Sequence, residues 1–135
     1  MVYWLLKEEP SHYSYDDLVK EGRTNWDGVR NPLAQKNLRS VKKGDEAIFY
    51  HTRDVKAAIG IVKVISDPYP DPSSKSGKLV AIDVEPLKKL ARPVKLAEIK
   101  EKELFKDFAL VKIPRLSVMY VPKELWNEIL NMSTN

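Results

Sequence analysis

Cysteine is missing altogether from this chain of 135 residues, which excludes disulfides and thiolate metal sites and fits a reducing, cytoplasmic compartment. Histidine occurs only twice, at His12 and His51, too few for a histidine-rich zinc centre. No metal site or other cofactor is therefore expected. Long apolar runs are absent as well. Met1-Val2-Tyr3-Trp4-Leu5-Leu6 reaches Lys7-Glu8-Glu9-Pro10 too soon for a signal peptide or a membrane span. The five glycines form no phosphate-cradling loop, and there is neither a Gly-x-Ser-x-Gly elbow nor a His-x-Glu motif with a cysteine pair. Enzyme signals are therefore weak.

What is present is the composition of one soluble globular domain, 43% hydrophobic and 31% charged, with a net charge of +4. The positive balance favours a polyanionic partner such as nucleic acid. The chain is organised around Trp26-Asp27-Gly28-Val29-Arg30-Asn31, which packs an aromatic, a carboxylate, a guanidinium and an amide into six positions. Gly28 permits positive φ there. Asn31-Pro32 then reads as an N-cap and first helical residue. The helix runs to about Ser40, with Leu33, Ala34 and Leu38 on its apolar side.

The remaining elements follow in order. Residues 2–6 read as a buried strand ended by Pro10. Ser14 caps a helix that Gly22 stops. Residues 46–51 and 57–65 form strands joined by a short polar loop, and Gly60 marks a bulge or a close backbone approach. Residues 67–78 are a proline- and serine-rich surface loop, and residues 79–86 a further strand. Short helices are expected around Ala97 to Leu104 and at Phe105 and Phe108. A last strand, interrupted at Pro114, lies within residues 111–121. An amphipathic helix from Pro122 to Leu130 closes the fold, with Leu125, Trp126, Ile129 and Leu130 inward. Residues 1–131 make a single domain and 132–135 a frayed tail. The expected class is α+β: a curved, mostly antiparallel sheet closed as a small barrel, with helices at its ends.

Base binding needs aromatic faces for stacking, amides or carboxylates for a base edge, and cations for phosphate. Trp26, Tyr50, Asn31, Asp27, Lys7, Arg30 and Arg115 supply all three at strand ends and loop starts. Trp4 and Trp126 read as core. The lysines at Lys88, Lys89, Lys95, Lys100, Lys102 and Lys106 read as a solvated face, with phosphate contact as the alternative. His51, at a strand end, reads as a structural side chain or a wall of the site. A catalytic alternative would use Glu9, Asp27 and His51.

Four motifs stand in order: Tyr3-Trp4-Leu5-Leu6-Lys7-x-Glu9-Pro10-Ser11, Trp26-Asp27-Gly28-Val29-Arg30-Asn31, Phe49-Tyr50-His51 and Pro114-Arg115-Leu116-Ser117-Val118. The chain closely resembles the EVE domain, a PUA-like fold related to the YTH and ASCH domains. The likeness extends to Tyr69-Pro70-Asp71-Pro72 and the closing Pro-x-x-x-Trp helix. It implies a barrel of five to six strands with flanking helices and a pocket for a modified nucleobase flipped from its strand. By the same resemblance Trp26 is the stacking face, Asp27 and Asn31 read the base edge, and Tyr50 and His51 line the opposite wall. Lys7, Ser11, Arg30, Arg115 and Ser117 hold the backbone or close the rim. Glu8 departs from the small polar residue common in the family, placing a negative charge near the expected pocket that would weaken phosphate binding there, and Thr52 departs from the usual serine.

The expected function is a non-enzymatic module for a modified cytosine or adenine in DNA or RNA. The alternatives are an enzyme acting on a modified base or nucleotide, or a small-molecule module with the same pocket. Nucleic acid is the expected partner and no membrane is involved. A single domain of this kind favours a monomer, with any effector activity supplied by a partner protein.

Overall fold

A computed structural model describes residues 1–134. Its centre is β1 (Tyr3–Glu8), an apolar run flanked on one side by a parallel partner, β3 (Glu46–His51), and on the other by the antiparallel β7 (Val118–Tyr120). From β3 the sheet continues through β4 (Ala57–Val64) to the 16-residue β6 (Val80–Lys95), then to β2 (Thr24–Trp26). The order β2-β6-β4-β3-β1-β7 makes a curled, half-barrel mixed sheet; β1–β3 is the parallel ladder and the other pairings are antiparallel. Bulges between Phe49 and Tyr50 of β3, and at two points along β4 and β6, bend the strands enough to curl it. The short β5 (Tyr69–Pro70) adds to the end of β6.

Local chemistry accounts for the helices that frame the site. In α1 (Tyr15–Glu21) the Ser14 hydroxyl accepts from Asp17 N–H while the Asp17 carboxylate accepts from Ser14 N–H, and Gly22 ends the helix at φ 83°. In α2 (Pro32–Ser40) the Asn31 side chain accepts from Ala34 N–H at 3.0 Å. Ala34, Gln35 and Leu38 form the buried face of α2, whereas Leu33 is 42% exposed and lines an open hollow beside Met119 and Tyr120 of β7. Gln35 is a buried polar group with its bonds made: its amide donates to Val29 and Val80 carbonyls and accepts from Val80 N–H. It thereby ties the turn after Trp26 to β6.

Several elements depart from expectation. β1 continues through Lys7 and Glu8, because β3 pairs with both as Lys7–Tyr50 and Glu8–His51. β2 was not expected, and β6 runs unbroken from Val80 to Lys95 past Pro86 and Pro93. Residues 111–121 are mostly not strand. α4 (Ala109–Lys112) and a turn at Pro114 occupy the first part, leaving β7 only three residues long. Between β6 and α4 lie α3 (Leu96–Lys100) and a 3-10 turn at Glu103–Phe105. The closing α5 (Lys123–Met132) buries Leu125, Trp126, Ile129 and also Met132, while Leu130 is only partly buried. Ser133 is buried as well and its carbonyl accepts from Arg92 N–H, so ordered contacts extend beyond residue 131; Asn135 lies outside the described residues.

The core lies on both faces of the sheet. Trp4 is buried and its indole N–H donates to the Asp45 carboxylate at 3.0 Å; Asp45 also accepts from Val2 and Lys42 N–H. Trp126 is buried and stacks on Tyr3 with ring centroids 4.3 Å apart. No helix among the described residues is long and apolar enough to cross a membrane.

Candidate nucleic-acid interface

Alternation along β3 sorts the candidate residues by face. Paired residues of a ladder share a face and successive residues alternate, so Glu8 and His51 lie with Phe49 on one side, Lys7 and Tyr50 on the other. Trp26 belongs to the first side. Its ring meets Phe49 edge-on at 5.2 Å, and Phe49 in turn meets Tyr15 and His51.

On that side a cavity of about 150 Å³ is lined by Glu8, His12, Tyr13, Thr24, Asn25, Trp26 and Asp27. Its size suits one planar heterocycle. Trp26 forms a wall although only 6% of its surface is exposed. The Glu8 carboxylate accepts from Glu9 N–H at 2.9 Å and lies 3.2 Å from His12 Nδ1. The Asn25 amide donates to Asp27 at 3.3 Å. The Tyr13 hydroxyl donates a hydrogen bond to the Glu21 carboxylate; burial, then that carboxylate, push its pKa up to about 12. Two carboxylates therefore face a small space beside an indole, an arrangement rich in hydrogen-bond acceptors.

The turn carrying Trp26 and Asp27 is fixed from behind. Gly28 takes φ 73° and donates its N–H to Asp71 at 2.8 Å. Asp71 is buried and accepts also from the Ser73 N–H and hydroxyl. Burial alone would raise the Asp71 pKa, but the Ser73 hydroxyl, the Gly28 and Ser73 amides and the Arg30 charge hold it below the usual carboxylate range. Asp71 positions the turn without lining the cavity. Its signal in the sequence was the Asp between two prolines, and the partner 43 positions away was invisible there. Glu8 was expected only as a charge near the pocket, and His12, Tyr13, Thr24 and Asn25 carried no signal as walls.

The opposite face holds a larger cavity of about 310 Å³, lined by Lys7, Tyr50, Thr52, Arg53, Lys56, Leu96, Lys100, Leu110 and Pro114. Lys7 and Tyr50 therefore do not share a cavity with Trp26, contrary to the expected arrangement. The Lys7 ammonium donates to the Pro114 carbonyl at 2.8 Å and sits 5.7 Å from the Tyr50 ring centroid. Of the remaining candidates, Arg30 lies beside the loop 73–79, where it lines a separate shallow hollow. Asn31 uses its side chain as a helix cap. Ser117 offers its carbonyl to Lys7 N–H. Ser11 and Arg115 are exposed and line neither cavity. Of the catalytic candidates, Glu9 pairs with Arg53 at 2.8 Å and Asp27 lines the smaller cavity, whose walls include neither Glu9 nor His51.

His51 is a structural acceptor. Its Nε2 accepts from Tyr15 N–H at 3.1 Å, which requires the neutral ring. Burial depresses its pKa, opposed by the nearby Asp16 carboxylate and assisted by Lys89. Because the folded value lies below the unfolded one near 6.5, this contribution to stability is complete above about pH 6.5. It declines as the pH falls toward the folded value. Thermal melts of wild type and His51→Gln between pH 5 and 8 should therefore show a steeper acid loss in the wild type; parallel profiles would remove His51 as the cause.

A sheet of this order and curl with helices at its ends defines a PUA-like α+β fold. An ASCH protein from Zymomonas mobilis shares it at TM-score 0.59 and 15% identity, over 96% of this chain and 94% of that one. Within that class the chain belongs to the EVE domain family, whose sequence model matches residues 2–132. The solution structure of a Rhodopseudomonas palustris protein superposes at TM-score 0.94 with 40% identity, covering 99% of this chain and 94% of that chain. The crystal structure of human THYN1 protein in complex with 5-methylcytosine-containing DNA superposes at TM-score 0.92 with 29% identity, covering 100% and 99%.

Proposed function

We propose that the protein is a non-catalytic binding module for a modified nucleobase in DNA, with cytosine bearing a 5-substituent as the favoured class. The observation that carries this reading is the cavity walled by Trp26 and faced by the Glu8 and Asp27 carboxylates. Carboxylates accept from the exocyclic amino group of cytosine, and an indole face stacks a base for about 1–3 kcal/mol. A buried methyl adds roughly 0.8 kcal/mol. The complex of the human relative with 5-methylcytosine DNA supports the same ligand class. The amino-bearing edge would be read by acceptors, so thymine and uracil, which lack that amino group, would bind less well. Glu8, the family departure, would act as a reading group rather than a handicap. Arg30 and Arg115, both exposed, would contact the strand backbone. The lack of cysteine suits a cytoplasmic setting, with any further activity lying in a partner chain.

The test is binding to short single- and double-stranded oligonucleotides that differ in one base, at two salt concentrations. Preference for 5-methylcytosine over thymine is expected, reduced about tenfold in Glu8→Gln or Asp27→Asn, since one good base-edge contact contributes about 1–3 kcal/mol of discrimination. Salt-sensitive binding indifferent to the base would reduce the protein to a general nucleic-acid binder.

A further inference from the structure

The cavity on the opposite face has no role in holding a base against Trp26, yet it has the makings of a site. Four cations line it, Lys7, Arg53, Lys56 and Lys100, and no carboxylate does. Lys7 is spent on the Pro114 carbonyl and Arg53 on Glu9. Lys56 and Lys100 make no ion pair among the described residues. The floor is Tyr50, only 2% exposed. Its hydroxyl has no hydrogen-bond partner within the described chain, and burial alone pushes its pKa up to about 12. The ring is buried, but the hydroxyl oxygen itself is not closed off. Here the open space it faces is the cavity itself.

We propose that this cavity is a second ligand site, for a phosphate-bearing nucleotide. The phosphate would sit between the Lys56 and Lys100 ammonium groups and receive the Tyr50 hydroxyl as donor. Charge-assisted bonds of this kind are the strong ones. The volume of about 310 Å³ exceeds what one phosphate needs. The Leu96, Leu110 and Pro114 side chains give the remaining space an apolar wall suited to the flat body of a nucleoside rather than to a bare inorganic anion. The nucleotide has two sources: a free mononucleotide, or a neighbouring residue of a bound strand. The site is independent of base reading, because Tyr50 and Trp26 lie on opposite faces and report separately.

The experiment follows amide and side-chain shifts of isotope-labelled protein titrated with deoxycytidine 5′-monophosphate, deoxycytidine, inorganic phosphate and a twelve-nucleotide single strand. Shifts at Tyr50, Lys56 and Lys100 with the mononucleotide, absent with deoxycytidine, are expected. Tyr50→Phe, which keeps the ring and the fold, should weaken this binding about tenfold, as loss of a hydrogen bond to a charged group does. If only the strand shifts these residues, they hold a backbone phosphate. Lys56→Ala with Lys100→Ala should then lower the slope of log affinity against log salt by about two. Equal binding of deoxycytidine and its phosphate at Tyr50, or shifts confined to the Trp26 side with every probe, would overturn the proposal. So would an unchanged affinity in Tyr50→Phe.

Discussion

Trp26→Ala is expected to remove selective base binding and to destabilise the fold at the same time. The indole is a wall of the smaller cavity, but it is also 6% exposed and set edge-on against Phe49. Truncating a buried aromatic costs about 3–5 kcal/mol. At this chain length that lowers the melting temperature by about 10–20 °C. Loss of binding in this variant therefore carries meaning only beside a measured folded fraction. Trp26→Phe separates the effects, since phenylalanine refills much of the core and gives up part of the stacking face. Melting curves and fluorescence anisotropy on the same samples suffice. Full affinity in a folded Trp26→Ala protein would move the stacking surface elsewhere.

Gly60→Ala has the second large effect, and its cause is steric. A methyl group at Gly60 would stand 2.5 Å from Cε1 and Cζ of the Tyr15 ring and 2.8 Å from Cε2. That ring has nowhere to go. It is 1% exposed, its hydroxyl donates to the Ile61 carbonyl at 2.8 Å, and Phe49 closes its edge. Overpacking of this kind costs about 1–3 kcal/mol and occasionally more, and here a buried hydrogen bond is threatened too. A fall of about 3 kcal/mol in urea denaturation is expected. Tyr15→Leu in the Gly60→Ala background should recover part of it, because the two positions touch and are coupled. A Gly60→Ala protein as stable as wild type would mean that α1 shifts away from β4 without penalty.

How much of this was legible beforehand depended on how local its cause was. The Ser14 cap, the Gly22 stop and the Asn31-Pro32 start are written in consecutive residues and stand as expected. β3 matches too, because a turn and an apolar run announce it. β2 could not be foreseen: Thr24-Asn25-Trp26 has too few residues to show alternation, and its partner lies on β6 nearly sixty positions later. Pro114 reads as a break in a strand, whereas Leu110 and Val111 before it belong to a helix that ends at Lys112. Among the walls of the smaller cavity, Trp26 and Asp27 stood out in the sequence because the aromatic and the acid adjoin a glycine turn. The division of Tyr50 from Trp26 did not, because it follows from the packing of Trp26 on Phe49, more than twenty positions away, which leaves the next residue of β3 on the other face.

The parallel pairing of β1 with β3 has a consequence for how the chain tolerates insertions and deletions. Lys7 and Glu8 are neighbours in β1, yet one belongs to the basic cavity and the other to the acceptor-rich one. The electrical polarity of the two faces is thus stored as a parity, odd positions to one side and even to the other. Removing a single residue ahead of Lys7 and letting β1 slide to keep its ladder would reverse that parity. An ammonium would then look toward Trp26 and a carboxylate toward Tyr50, although the composition of the strand had hardly changed.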